Sequence, residues 1–241
     1  MKAAGIPGTA ALLTALFAGS APAAESYYML VFGSQLPTLN RPNHTHSFAA
    51  FVRATGPGCG PQCVAGCYTI SWMPRTLEIR THRLLPECGV NLDLHATLRW
   101  ALHDCQRVSV WGPYQIRKEL FDQALRQVAR LQSGEVRYKA VDTGHPTRRV
   151  SNCFHALSDL AVEAPRLRVG TPGWGESASY FVALTLSPWI LDPGQTHDWV
   201  LDRLGLGCFP LVRRDLSRSP TENPLLRAVE SVTHRALLRL R

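Results

Sequence analysis

After its first 23 residues the chain has no apolar run long enough to cross a bilayer as a helix. It also lacks low-complexity tracts, internal repeats and any block that alternates basic with aromatic residues, as nucleic-acid-binding surfaces do. These absences argue against stable membrane insertion, a repeat architecture and a nucleic-acid partner. What remains is a globular composition, 45% hydrophobic, with a formal net charge of +8 over 241 residues. The positive charge indicates a solvated face or a weak affinity for an anionic envelope surface.

The first 23 residues have the pattern of a secretory signal peptide. Lys2 gives a positive start, residues 10–19 form a short apolar run, and Ala21-Pro22-Ala23 is a small-residue cleavage site. An N-terminal anchor that is never cleaved is the alternative. We therefore expect an exported protein, periplasmic or extracellular. Its single α+β domain would span residues 24–216, and a peripheral basic tail would span 217–241.

The chain has seven cysteines, an odd number for an exported protein. Export permits disulfides, and an odd count leaves at least one thiol free or bonded to another chain. One consistent arrangement has three disulfides with Cys153 free. Cys59, Cys63 and Cys67 lack the second pair of ligands that zinc sites use, which favours a disulfide-tied surface loop there.

Hydrophobic periodicity predicts a mainly antiparallel sheet flanked by helices, hence an α+β fold. The predicted strands are residues 27–33, 46–53, 68–73, 76–81, 107–111 and 136–141, with the third and fourth pairing as a hairpin or meander. Residues 166–169 are predicted to be a short extended stretch. The predicted helices are residues 94–104 and 116–131, one that begins at Cys153 and one capped by Thr196. Residues 176–186 fit a helix or a strand, and we favour a helix.

Cys153 is the candidate nucleophile. Ser151 or Asn152 can cap a helix whose first turn holds the cysteine. First-turn N–H groups and the helix dipole favour a negative charge, so we expect the pKa of this thiol to be lowered. The alternative is a buried structural cysteine or half of a disulfide.

His46 is the candidate base. It begins a strand and shares a face with Phe48, Ala50 and Val52, because side chains two residues apart point the same way. Its alternative role is that of a hydrogen-bonded histidine at the end of a sheet. Gln35, directly after the first strand, can donate to an oxyanion or can be an ordinary loop residue.

A metal site is a weaker hypothesis. His44 and His46 alternate along a strand, and His197 supplies a third imidazole elsewhere in the chain. Asp198 follows His197, but neighbouring residues on a helix do not face each other. We expect no metal and no cofactor.

The order of these pieces resembles the circularly permuted papain-like hydrolases of the lecithin:retinol acyltransferase type. The resemblance covers roughly residues 46–160. Asn152-Cys153-Phe154-His155 matches three of the first four positions of that family's Asn-Cys-Glu-His-Phe motif, with Phe154 and Ala156 as departures. The whole mature chain also resembles a family of uncharacterised exported bacterial proteins, a likeness that implies no chemistry.

The first resemblance implies a role for each residue at the site. Cys153 would be the nucleophile, His46 the base and Ser71 the third polar residue, which orients the base. Cys153 would donate its backbone N–H to the oxyanion, with Gln35 and Asn152 as further support, and His155 would be structural support.

The expected function is thus an exported cysteine hydrolase or acyltransferase acting on an amide or ester. Its substrate would be a cell-wall peptide or a lipid acyl group. The alternative is a non-catalytic, disulfide-containing exported domain that binds an envelope component. The sequence sets neither the substrate nor the oligomeric state.

Overall fold

The fold is α+β, with two mixed sheets flanked by helices, as the computed structural model describes it for residues 24–37, 42–56, 60–142, 147–161, 174–218 and 220. The strands are β1 (Ala24–Gln35), β2 (Thr45–Gly56), β3 (Val64–Ile70), β4 (Trp72–Pro74), β5 (Glu87–Asn91), β6 (Arg107–Ile116), β7 (Arg137–Tyr138), β8 (Val150–Ser151) and β9 (Leu211–Arg214). The helices are α1 (Leu94–His103), α2 (Lys118–Gln132), α3 (Cys153–Ser158), α4 (Glu176–Leu186) and α5 (Trp199–Arg203). None of the helices in these ranges is long and apolar enough to span a membrane.

The larger sheet has the strand order β3-β2-β1-β6-β9, and the smaller has the order β4-β5-β7-β8. The β6–β9 and β7–β8 pairs are parallel, and the other pairs are antiparallel. Two of the seven pairings thus make the sheets mixed. The expected signal peptide, residues 1–23, and most of the expected tail, residues 221–241, lie outside the described residues.

Strand alternation gives the larger sheet two apolar faces. Met29 and Val31 contribute to one core cluster, which includes residues of α2, α3 and α4. Leu30 and Phe32 contribute to the other, which includes residues of α1 and α5. Burying both faces accounts for the nearly continuous apolar run of β1.

The predicted hairpin of residues 68–73 with 76–81 is wrong. Residues 75–86 form no strand, and Leu77 has a φ of 60°, which breaks the extended alternation. Instead β4 pairs with β5, a strand that periodicity did not indicate. The chain leaves the larger sheet at Ser71, where Asn91 accepts a hydrogen bond from the Ser71 N–H at 2.8 Å and donates to the Thr69 carbonyl at 2.7 Å.

Other boundaries follow the sequence more closely. Asp93 caps α1 by accepting from the Ala96 N–H, and α4 has the predicted bounds. Strand β6 runs past Gly112 to Ile116, so α2 begins two residues later than predicted. The predicted strand over 136–141 is reduced to the two residues of β7. A short extended stretch predicted at residues 166–169 lies outside the described residues.

The cysteines do not form the arrangement of three disulfides that the sequence allowed. Five of the seven carry free thiols: Cys67, Cys88, Cys105, Cys153 and Cys208. The strand registers place no cysteine opposite another: Cys67 faces Val52 and Cys88 faces Arg137. Too few cysteines remain for three bonds, and Cys59 lies outside the described residues.

Candidate active site around Cys153 and His46

Cys153 begins α3, and Asn152 caps this helix by accepting a hydrogen bond from the His155 N–H at 2.7 Å. The cysteine retains accessible surface on a small cavity of about 30 Å³. Burial raises the pKa of its thiol to about 11, although backbone groups of Ser47 and Phe154 beside the sulfur act in the opposite direction. The expected lowering of the pKa is therefore wrong, because desolvation outweighs the first turn of a six-residue helix.

His46 lies on the same cavity, at the start of β2. Its ring stacks on Phe48 at a centroid distance of 5.4 Å and meets the edge of Trp100 at 5.8 Å. The side chain is 1% exposed, and burial lowers its pKa to about 3. Near neutral pH the site therefore holds a neutral imidazole and a neutral thiol.

A chain of hydroxyl groups leads away from the imidazole. Nε2 of His46 lies 2.9 Å from Oγ of Ser71, which lies 2.8 Å from Oγ1 of Thr97. The Thr97 hydroxyl also lies 2.7 Å from the carbonyl oxygen of Asp93. That carbonyl can only accept, and it also accepts from the backbone N–H of Thr97 at 3.0 Å.

The direction of this chain decides the tautomer of His46. The Thr97 hydroxyl has one proton and is within reach of both the Asp93 carbonyl and the Ser71 hydroxyl. We assign the proton to the bond with Asp93, so that the Ser71 hydroxyl donates to Thr97 and accepts from Nε2–H of His46. The Nδ1 atom then carries a lone pair and no proton. Among the described residues it has no hydrogen-bond partner, and the Cys153 sulfur is not bonded to it.

A second buried network lies behind Cys153. The carboxylate of Asp142 is 2.6 Å from Nδ1 of His155, and it accepts from both the backbone N–H and the side-chain amide of Asn152 at 3.1 Å. His155 does not line the cavity. The side-chain nitrogen of Asn152 is used by Asp142 and the Ala140 carbonyl, so this network holds the start of α3.

Gln35 does not line the cavity. Its Oε1 accepts from the Glu176 N–H at 3.1 Å, at the start of α4. Gly175 has a φ of +55°, and a Cβ there would lie 2.6 Å from that same oxygen. Since Gly175 lines the cavity, Gln35 shapes its wall from behind and has no contact with the thiol.

A wider groove adjoins the cavity. It has a volume of about 760 Å³, and it shares Ile79, Thr81 and Trp174 with the cavity that holds Cys153. A third cavity of about 310 Å³, lined by His44 and Asp104, also includes Ile79. Ile79, Thr81 and Trp174 therefore lie between the groove and the cavity of Cys153.

The histidines of the metal hypothesis are separated. His197 packs on Tyr28 at 5.0 Å, and Tyr28 pairs with Val52, six residues or about 20 Å along β2 from His46. His44 bonds Asp104 at 2.7 Å. Within the described ranges no three His, Cys, Asp or Glu side chains come together as a metal site.

Three residues of the site were missed from the sequence. Thr97 carried a signal, since it is a polar residue on the inward face of α1 beside Leu94 and Leu98. Asp142 and Asn91 carried none, because each meets its partners across a loop or between sheets. Comparison with protein-family models, curated proteins and solved structures found no match.

Proposed function

We propose that this chain is an exported thiol hydrolase or acyltransferase that attacks an amide or ester carbonyl through Cys153. One observation carries the proposal: His46 and Cys153 line the same cavity, and Nδ1 of His46, which we assign as unprotonated, has no hydrogen-bond partner among the described residues. A buried polar atom without a partner is costly, and a base that waits for a proton accounts for it.

The reaction begins from the neutral pair. As the sulfur attacks the carbonyl, the thiol proton moves to Nδ1 of His46, and Ser71 continues to accept from Nε2–H. The imidazolium then protonates the leaving amine or alcohol. Water or another acceptor then gives a proton to His46 as it attacks the thioester, and His46 passes this proton to the departing sulfur of Cys153, which restores the neutral pair. We assign the oxyanion contact to the backbone N–H of Cys153, since Gln35 and Asn152 are engaged elsewhere.

The chain order of base, orienting residue and nucleophile supports the finer fold proposal, a circularly permuted papain-like arrangement. His46, Ser71 and Cys153 occur in that order, as in the family that the motif resembles. A cavity of about 30 Å³ has room for a carbonyl and a water molecule, so the rest of the substrate would lie in the groove.

The second candidate is a non-catalytic exported binding domain. Two observations favour it. Burial raises the pKa of the Cys153 thiol, and among the described residues the Cys153 sulfur makes no hydrogen bond with Nδ1 of His46. In this case Cys153 would be an inert buried cysteine.

Acyl transfer to the thiol separates the two. We expect purified protein incubated with p-nitrophenyl acetate and octanoate to release nitrophenol and to carry one acyl group on Cys153 by intact and peptide mass spectrometry. Cys153→Ala should abolish both signals, and His46→Gln should slow acylation by about a hundredfold or more.

The matched control is Cys105→Ser, which removes an exposed thiol and should leave the rate unchanged. Acylation that persists in Cys153→Ala, or that is absent from the native protein with esters and peptide amides alike, would favour the binding domain.

A further inference from the structure

We propose that residues 75–86, the segment between β4 and β5, dock this protein on an anionic lipid bilayer. The inference goes beyond the proposed function and does not depend on it. It rests on three properties of the segment, which are its exposed leucines, its charge and its fixed position.

The segment holds the most exposed large apolar side chains of the described residues. Leu84 is 85% exposed and Leu85 is 74% exposed. Leu77, in the same segment, is 37% exposed. Single exposed leucines are ordinary, but two adjacent ones turned outward are typical of a surface that meets something apolar.

The charge around these leucines is positive. The segment contains three arginines and one glutamate: Arg75, Arg80, Arg83 and Glu78. Glu78 pairs with Arg80, and the buried Glu87 lies 3.5 Å from Arg83, so part of the charge is balanced locally. Arg137 and Arg149, on the adjoining small sheet, are also exposed. The leucines can enter the acyl region of a bilayer while the arginines beside them bind lipid phosphates. This combination fits an anionic bilayer.

The segment is held in place by its neighbours. Ile79 is 8% exposed and anchors it to the protein, and the Arg75 N–H donates to the Cys88 carbonyl at 2.9 Å. The indole N–H of Trp100 donates to the Leu77 carbonyl at 3.3 Å. A fixed protrusion loses little conformational freedom when it binds.

The same segment borders the route to Cys153, because Ile79 and Thr81 line both the small cavity and the groove of about 760 Å³. Docking would therefore turn the mouth of the groove towards the lipid. Two leucines are too little for a stable protein interface, which needs about 800 Å² per partner, whereas insertion into lipid needs no matching surface.

The test is co-sedimentation of the exported, processed chain with vesicles, its first residue established by mass spectrometry. We expect it to bind vesicles of phosphatidylcholine with about 30% phosphatidylglycerol and to bind pure phosphatidylcholine at least about tenfold more weakly. Leu84→Ser with Leu85→Ser should weaken binding about tenfold or more. Arg75→Gln with Arg83→Gln should weaken it and flatten its salt dependence.

The matched control is Leu191→Ser, which removes a leucine that is 55% exposed and lies outside the segment. It should bind vesicles like the unaltered protein. Cys153→Ala should also bind like the unaltered protein, so vesicle binding can be tested separately from the enzyme proposal. Equal binding by the double leucine variant would overturn the inference, as would no binding to the anionic vesicles. A dimer in light scattering that the leucine variant dissociates would assign the segment to a second copy of this chain instead.

Discussion

His46 and His155 are both buried, but they differ in their hydrogen-bond partners and in their position relative to the cavity of Cys153. His155 has a carboxylate partner, with Asp142 at 2.6 Å, but it does not line the cavity. His46 bonds the Ser71 hydroxyl through one ring nitrogen, and the other ring nitrogen has no hydrogen-bond partner among the described residues. His155 and Asp142 are arranged like a catalytic dyad, but they hold the start of α3 in place. The base that we propose is His46, which has no carboxylate partner among the described residues.

The difference has a chemical consequence. A carboxylate stabilises an imidazolium, whereas a hydroxyl chain fixes a tautomer and leaves the ring neutral. His46 is accordingly a weak base, and in the reaction that we propose it would hold the thiol proton only during the chemical step. We expect no stable thiolate–imidazolium pair in this protein.

The largest effect should come from the structural histidine's partner. Asp142→Ala would leave donors of His155 and Asn152 without an acceptor and open a small void, so we expect the free energy of unfolding to fall by about 3–5 kcal/mol. Denaturant unfolding measures it. Asp122→Ala, which removes an exposed carboxylate paired with Lys118, should change stability by less than about 1 kcal/mol. Similar losses in both variants would mean that the Asp142 network does not hold the helix.

The next prediction concerns the contribution of His46 to the pH dependence of the free energy of unfolding. Its pKa is about 3 in the folded protein and about 6.5 when unfolded, so below pH 6.5 the unfolded chain binds a proton that the native state does not. The free energy of unfolding should therefore fall, by about 2 kcal/mol between pH 6.5 and pH 4.5 from this group alone.

His46→Gln keeps a donor for Ser71 and removes the titration. The difference in stability between this variant and the unaltered protein should change by that amount across the same pH range, in urea titrations at each pH. A constant difference would mean that His46 is protonated in the folded protein, and the neutral-base mechanism would then fail.

The sequence predicted the parts of the site that depend on local spacing. The cap at Asn152, the helix start at Cys153 and the face that His46 shares with Phe48 all follow from neighbours within four residues. The bounds of α4 followed in the same way. Ser71 was named from a resemblance, and its bond to His46 depends on the chain changing sheets at that residue.

What could not be predicted depends on contacts between distant segments. Residues 76–81 alternate like a strand, but β4 takes β5 as its partner and the segment remains irregular. The pKa of Cys153 was expected to fall because the helix start is visible in the sequence and the burial is not. Gln35 followed a strand, as an oxyanion donor would, but its oxygen caps the start of α4.

The smallest expected change in stability comes from a variant that tests the hydrogen-bond chain from Thr97 through Ser71 to His46. Thr97→Val keeps the shape of the side chain but takes the acceptor away from the Ser71 hydroxyl, which can then turn and donate to Nε2. We expect a loss of about 1–2 kcal/mol in stability and a shift of the imidazole proton to Nδ1, seen by nitrogen NMR of labelled histidine. Thr185→Val removes a comparable buried hydroxyl, bonded to the Phe181 carbonyl at 2.8 Å, and should cost similar stability without moving the proton. An unchanged Nε2–H tautomer in Thr97→Val would mean that Ser71 alone orients the base. Thr97 would be a positioning residue only if the imidazole proton moved to Nδ1 and acylation of Cys153 also became slower.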